Sequence, residues 1–125
     1  MARFLSEPWI AELNAAGQRV TVSADLHLIL QQIVVDETGP QIAYVIRIGE
    51  GSVTVTVGRD PAAEITLTQD RETAAAIAQA ELSAQSAFMS GRLRVGGDLR
   101  GVLARAQELA VMSDVFEAAR SSTTW

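Results

Sequence analysis

The sequence predicts an α+β domain in which most strands precede most helices. Three runs rich in β-branched and leucine residues lie between positions 26 and 57, and a shorter alternating run covers 65–68. After position 70, apolar residues recur at steps of three and four, which is typical of helices. A chain of 125 residues is long enough to bury one apolar core, so we interpret 1–125 as a single domain.

A helix is predicted near the N-terminus. Ser6 can cap it, Pro8 is tolerated in its first turn, and apolar residues follow Trp9 at helical spacing. Gly17 is expected to end this helix. Residues 1–20 therefore form a helix and a link in this interpretation.

Three strands are predicted next, over 26–35, 42–48 and 53–57. The first contains no helix breaker, although a helix over 24–32 is the competing interpretation. A turn at 38–40 separates the first two strands, and the connections are short. Short connections favour an antiparallel meander.

The run at 65–68 is a fourth predicted strand, after which Asp70 caps a helix that extends past Ile77. Residues 86–95 then contain two different periodicities on either side of Gly91. The first part suits a short helix and the second part suits a strand. We therefore expect helix, strand and helix in quick succession here.

In the predicted strand after Gly91, Leu93 and Val95 lie on one face of the sheet, whereas Arg92 and Arg94 lie on the other. The glycines and acidic residue at 96–98 indicate a tight turn and an N-cap. A phosphate-binding loop is disfavoured, because the order is not G-x-G-x-x-G and an acidic residue would stand where an anion should bind.

The last third of the chain predicts a helix over 99–109, with Arg100, Arg105 and Glu108 on its polar face. A further helical pattern over 114–119 is weak. Residues 121–125 are expected to form a frayed, flexible end.

Composition excludes several classes of function. The chain has no cysteine and a single histidine, His27, so disulfides, thiolate nucleophiles and a zinc site are not expected. No serine lies in a G-x-S-x-G turn that could recruit His27. The net charge of −5 argues against nucleic acid as a partner. We therefore expect no catalytic residue, metal or cofactor.

The longest apolar stretches fall short of the roughly 18 residues that span a bilayer, and no basic region followed by an apolar run opens the chain. A soluble cytoplasmic protein is the resulting expectation. Hydrophobic residues make up 48% of the chain but aromatic residues only 5%. Aliphatic walls of this kind suit an aliphatic ligand, and they would equally fill a solid core.

Two motifs carry a resemblance to a known family. Pro61–Thr68, a spacer of about twenty residues, and Ala87–Leu99 resemble the sterol carrier protein type-2 domain in their order and spacing. The resemblance covers residues 53–109, and the N-terminal half matches only in its strand pattern. Arginines replace lysines that are common in the family motif, and Asp98 stands where asparagine is frequent.

The resemblance implies a five-stranded, mainly antiparallel sheet covered on one face by helices, with an apolar tunnel between the layers. The motif positions that it implies as tunnel wall are Phe88, Met89, Leu93, Val95, Leu99, Val102 and Leu103. Helical and strand periodicity adds weaker candidates for the same wall, namely Trp9, Val55, Val57, Ile77, Met112 and Phe116.

The function implied is non-catalytic binding or transfer of a lipid, namely a sterol, a fatty acid or a fatty acyl-CoA. The alternative is an accessory or protein-interaction module whose groove is closed or filled by a partner. Arg92 and Arg94 could provide a transient membrane contact, but solvated arginines are the stronger interpretation. The sequence does not indicate an oligomeric state.

Overall fold

The computed structural model describes residues 2–36, 39, 41–97 and 99–125, except for the side chains of residues 99, 101 and 103. In chain order the elements are β1 (Ala2–Arg3), α1 (Glu7–Gln18), β2 (Leu28–Val35), β3 (Ile42–Gly49), β4 (Ser52–Val57), β5 (Ile65–Asp70), α2 (Arg71–Ala78), α3 (Ala84–Met89), β6 (Leu93–Gly96), α4 (Leu99–Ala104), α5 (Ala106–Arg120) and β7 (Thr123–Thr124). The predicted α+β class is confirmed.

Five strands form one sheet in the order β4-β3-β2-β5-β6. The predicted meander of β2, β3 and β4 is antiparallel, and β6 is antiparallel to β5. However, β5 pairs parallel with β2. The sheet is therefore mainly antiparallel, as expected, with one parallel pair at its centre. The alternative helix over 24–32 does not form, since β2 begins at Leu28.

The parallel pair requires the chain to pass from the edge strand β4 across β3 and β2 to β5. Residues 58–64 make this crossing on the face away from the helices. The guanidinium of Arg47 on β3 lies 2.6 Å from the Asp60 carboxylate, and the backbone N–H of Asp60 donates to Gln31 Oε1 at 2.9 Å. The crossing segment thus covers part of this face, where Val45 is buried.

The opposite face of the sheet packs against helices. α1 contacts β4 and α5, α2 contacts β5 and β2, and α3 contacts β6. Gly17 does not end α1, because the helix continues to Gln18. Instead Gly17 allows close packing, since a Cβ added there would lie 3.3 Å from the Val53 side chain. The strand residues buried beneath the helices are Leu28, Leu30, Gln32, Val34, Tyr44, Ile46, Ile48, Val53, Val55, Ile65, Leu67, Gln69 and Leu93.

The two ends of the chain pair with each other, in contrast to the frayed end predicted for 121–125. β1 and β7 form a short parallel sheet in which Ala2 is opposite Thr123. The indole Nε1 of Trp9 donates to Thr123 Oγ1 at 3.1 Å, and the rings of Phe4 and Trp125 have centroids 4.9 Å apart. No local sequence pattern could predict these contacts, because they join positions more than a hundred residues apart.

Two glycines have positive φ where the chain enters and leaves β6. Gly91 has φ +80° between α3 and β6, as expected for a residue that separates the two elements. Gly97 has φ +109°, and a Cβ there would lie 2.6 Å from the backbone oxygen of Glu64. Gly96 and Gly97 therefore form the predicted tight turn at the end of β6. The predicted cap at Asp98 lies outside the described residues.

The predicted helix over 99–109 is divided at Arg105 into α4 and α5. Glu108, expected on the polar face, is buried with 6% of its surface exposed. The guanidinium of Arg105 lies 3.2 Å from Glu108 and 2.9 Å from Glu64, and it also donates to the backbone oxygen of His27. The paired charge makes burial of Glu108 tolerable.

Asp70 caps α2, as predicted. Its Oδ1 accepts from the backbone N–H of Thr73 at 2.7 Å. Hydrogen bonds from Thr73, first with its side chain and then with its backbone, hold the pKa of Asp70 below the ordinary value of 3.8. Because this pKa is depressed, the stability that the carboxylate contributes is present above 3.8 and is lost as pH falls through the lower folded value.

We therefore expect Asp70→Ala to lower the free energy of unfolding by about 1 kcal/mol at neutral pH. The difference from the unmodified protein should shrink in acid below 3.8. Urea denaturation at the two pH values measures it. Asp114→Ala, at an exposed position inside α5, is the matched control and should change stability little at either pH. An Asp70→Ala defect of equal size in acid would contradict the assignment.

Candidate functional site

A cavity of about 260 Å³ lies between α2 and α5, beside the link that joins α2 to α3. Its walls combine apolar side chains from both helices with a small number of polar groups. The lining residues are Ile77, Ala80, Leu82, Ser83, Ala84, Met112, Ser113, Phe116 and Arg120.

The link between α2 and α3 is shaped by local backbone chemistry. Ala80 has φ +60°, so the chain reverses directly after the end of α2. Ser83 then caps α3 by accepting from the backbone N–H of Ser86 at 3.0 Å. Between these two points Leu82 packs against the core. The link therefore packs against the domain and forms one wall of the cavity, instead of projecting into solvent.

The opposite wall is one side of α5, where Met112, Phe116 and Arg120 follow one another at single helical turns. The ring of Phe116 lies nearly parallel to that of Trp9, with centroids 6.4 Å apart and an interplanar angle of 13°. Trp9 in turn meets Tyr44 edge-on at 5.7 Å, and burial raises the pKa of the Tyr44 hydroxyl. Aromatic packing behind Phe116 thus fixes this wall against the sheet.

Arg120 is the only charged side chain among the described residues that line the cavity. Its Nε donates to the backbone oxygen of Ala78 at 3.1 Å. This bond joins the last turn of α5 to the end of α2 and holds the guanidinium at the cavity. The hydroxyls of Ser83 and Ser113 are the other polar side-chain groups in the lining.

A buried pair of glutamines lies beneath Met112. Gln32 and Gln69 are on the helix-facing side of the sheet, with 4% and 6% of their surfaces exposed. Gln69 Nε2 donates to Gln32 Oε1 at 2.7 Å, and Gln32 Nε2 contacts the Met112 sulfur at 3.5 Å. A thioether is a weak acceptor, so the strong bond of this network is the one between the two amides.

The structure brings only part of the predicted tunnel wall to the cavity. Ile77, Met112 and Phe116 line it. Trp9, Val55 and Leu93 are buried in the core and do not line it, and Val95 and Val102 are partly buried against the core. The side chains of Leu99 and Leu103 lie outside the described residues.

Three predicted wall residues are exposed, which corrects the expectation that they face an apolar interior. Phe88 and Met89 have 43% and 77% of their surfaces exposed, because α3 packs on β6 through the fully buried Ala87. Val57 is 55% exposed at the end of the edge strand β4. Alternation placed Val57 on the correct face but could not show that the helices end before it.

The residues that sequence analysis missed are in the link and at the end of α5. Leu82 and Ala84 occupy a stretch without clear periodicity, so no pattern marked them. Gln32 had a signal, since it interrupts the alternating inward positions Leu28, Leu30 and Val34 of a predicted strand. A polar residue in such a series indicates a buried amide with a partner.

A second, wider depression of about 430 Å³ lies at the other end of the sheet and includes exposed His27. Arg47, Glu50 and Glu64 also line it, so it suits an apolar ligand less well. Over the described ranges, no group of three or more histidine, cysteine, aspartate or glutamate side chains could hold a metal ion. In the same part of the chain, no helix has the length and apolar character needed to cross a bilayer.

The fold is similar to solved structures of sterol carrier proteins. A crystal structure of sterol carrier protein 2 has a TM-score of 0.72 and 18% identity, with 94% of this chain and 98% of that chain covered. The sterol carrier protein domain 2 of Helicoverpa armigera has a TM-score of 0.66 and 22% identity, covering 93% and 89%. Palmitated SCP2L2 from Aedes aegypti has a TM-score of 0.57 and 19% identity, covering 90% of each chain.

The family follows from the sequence match. The model of the SCP-2 sterol transfer family matches residues 12–109. The chain therefore belongs to the SCP-2 sterol transfer family, and the predicted resemblance is confirmed. No curated protein matches it significantly. Membership of this family supports a role in lipid binding or transfer.

The glutamine pair makes a specific energetic prediction. Gln32→Leu or Gln69→Leu alone strands one buried amide and should lower the free energy of unfolding by about 1–3 kcal/mol, whereas the double variant should lose less than the sum. Urea denaturation of the four proteins measures the coupling, with exposed Gln107→Leu as the control. Strictly additive losses would show that the two amides do not depend on each other.

Proposed function

We propose that this protein is a non-catalytic carrier that holds a single fatty acyl chain in the cavity between α2 and α5. The observation that carries the proposal is the cavity itself, with Ile77, Leu82, Met112 and Phe116 in its walls. Transfer of apolar surface out of water, at about 25 cal/mol per Å², would supply most of the affinity. Such binding needs few directional contacts.

The size of the cavity favours a flexible chain over a rigid sterol. Its volume of about 260 Å³ is slightly below the range of about 300–1,000 Å³ that is usual for small-molecule sites. Met112 adapts its shape readily because its side chain is unbranched. A chain can bend to follow such a space, whereas a fused ring system cannot change its shape to do so. The palmitated relative from Aedes aegypti supports the same choice.

The same volume keeps one alternative open. If the cavity between α2 and α5 is too small to admit a ligand, the protein would act as an accessory or interaction module with a closed groove. The two hypotheses differ in whether purified protein contains lipid. Native mass spectrometry before and after lipid extraction, together with displacement of a fluorescent fatty acid, distinguishes them. Absence of both bound lipid and displacement would establish the closed module.

Ser113→Trp should weaken uptake of the acyl chain. Ser113 lines the cavity, and a ring that displaces two methylene groups, at about 0.8 kcal/mol each, weakens binding by about tenfold. Ala110→Trp is the matched control, because this exposed residue of α5 does not line the cavity. Fluorescent fatty acid titration of both variants measures the effect. Equal affinity in the two variants would place the ligand elsewhere.

We further propose that the end of α3 contacts anionic membranes when ligand is exchanged. Phe88 and Met89 are exposed apolar residues there, followed by exposed Arg92 and Arg94. Apolar insertion beside cationic side chains is the chemistry that favours an anionic lipid surface. α3 has six residues, which is a length of about 9 Å, so this end lies close to Ala84 in the cavity wall.

Met89→Ser should slow the exchange of fatty acid with vesicles that contain anionic lipid severalfold, without changing the affinity for fatty acid in solution. Stopped-flow transfer from labelled vesicles measures the rate. Val57→Ser provides the control, since Val57 is similarly exposed but lies on β4, at the opposite edge of the sheet. An equal change in both variants would rule out a specific contact by α3.

A further inference from the structure

The ligand cavity has one cationic group in an otherwise uncharged wall. Arg120 is the last residue of α5. Met112 and Phe116 lie on the same side of the helix, two turns and one turn before it. The polarity of this wall therefore changes along α5, from thioether and aromatic ring to guanidinium. A ligand that is apolar along its length and anionic at one end has the matching arrangement.

The position of the guanidinium is restrained. Arg120 donates from Nε to the backbone oxygen of Ala78 at 3.1 Å, which uses only one of the five donors of an arginine side chain. The bond fixes the stem and leaves the fork of the guanidinium at the lining. Arginine that is held in this way loses little further entropy when it binds a carboxylate through two parallel hydrogen bonds.

Two hydroxyl groups are the other polar side chains of the lining, apart from Arg120. Ser83 belongs to the link after α2, and Ser113 lies two turns before Arg120 on α5. The Ser83 hydroxyl already donates to Ser86 Oγ at 2.9 Å, so Arg120 is the main donor that the lining offers to an anion. None of the described lining residues is acidic, so nothing within the wall would repel an anion or compete for Arg120.

We propose that Arg120 is the head-group residue of the cavity and that it selects ligands with a free carboxylate at the end of the acyl chain. The inference rests on the proposed carrier function. The acyl chain lies along Met112 and Phe116, and the carboxylate faces the guanidinium. Esters and thioesters, which present an uncharged carbonyl at the same place, bind without this contribution.

The test compares palmitate, methyl palmitate and palmitoyl-CoA on the full chain. In Arg120→Gln, palmitate should bind about tenfold more weakly, as expected for loss of one charge-assisted contact that is partly exposed to solvent. Methyl palmitate should be unaffected, and palmitoyl-CoA, which lacks a free carboxylate but carries phosphates on its CoA group, should be weakened less than palmitate. Arg120→Lys should recover only part of the palmitate affinity, because it restores the charge but not the two parallel hydrogen bonds. Isothermal titration calorimetry gives all the affinities.

The control variant is Arg19→Gln, which removes an exposed arginine from the end of α1, outside the cavity lining, and should leave palmitate binding unchanged. Thermal unfolding of each variant separates loss of the bond to Ala78 from loss of ligand recognition. Equal weakening of palmitate and its methyl ester would overturn the proposal in favour of a packing role. Unchanged palmitate binding in Arg120→Gln would also overturn the proposal. Failure of every ligand to bind the unmodified protein would instead disprove the carrier function itself.

Discussion

The packing of Trp9 is the interaction on which the arrangement of the layers depends. Its indole lies against Phe4 at 4.9 Å, against Tyr44 of the sheet at 5.7 Å and against Phe116 of α5 at 6.4 Å, and Nε1 bonds to Thr123. One side chain therefore connects the first helix, the sheet, the last helix and both chain ends. Aromatic groups of this size dominate core energetics, and the chain contains few others.

The sequence predicts most of the fold because the signals involved are local. Alternation over 53–57, the cap at Asp70 and the positive-φ glycine at 91 each depend on neighbours within a few residues. The parallel pairing of β5 with β2 could not be derived in this way, since it follows from a crossing of the sheet. Pairing of the two chain ends could not be derived either, because β1 and β7 are far apart in the sequence. Contacts between distant segments carry no periodicity.

The site was less predictable than the fold, for a related reason. Sequence analysis predicts an apolar tunnel between the helices and the sheet, and the candidate cavity in the structure is bounded by α2, the link after it and α5. Of the motif residues, Phe88 and Met89 proved exposed because Ala87 is the contact point of their helix. A resemblance indicates which segments are shared, but it does not give the orientation of a six-residue helix in which Ala87 alone is fully buried. Gln32 was missed as well, although its position in an apolar series was a usable signal.

The pairing of β1 with β7 has a mechanical consequence. The two strands are parallel, with Ala2 opposite Thr123 and Arg3 opposite Thr124, so the chain leaves this small sheet in opposite directions at its two ends. A force that pulls the ends apart acts along the strands and loads their hydrogen bonds simultaneously. Antiparallel end strands would instead open one bond at a time. Tension is thus resisted in shear, at a point directly supported by the bond between Trp9 and Thr123.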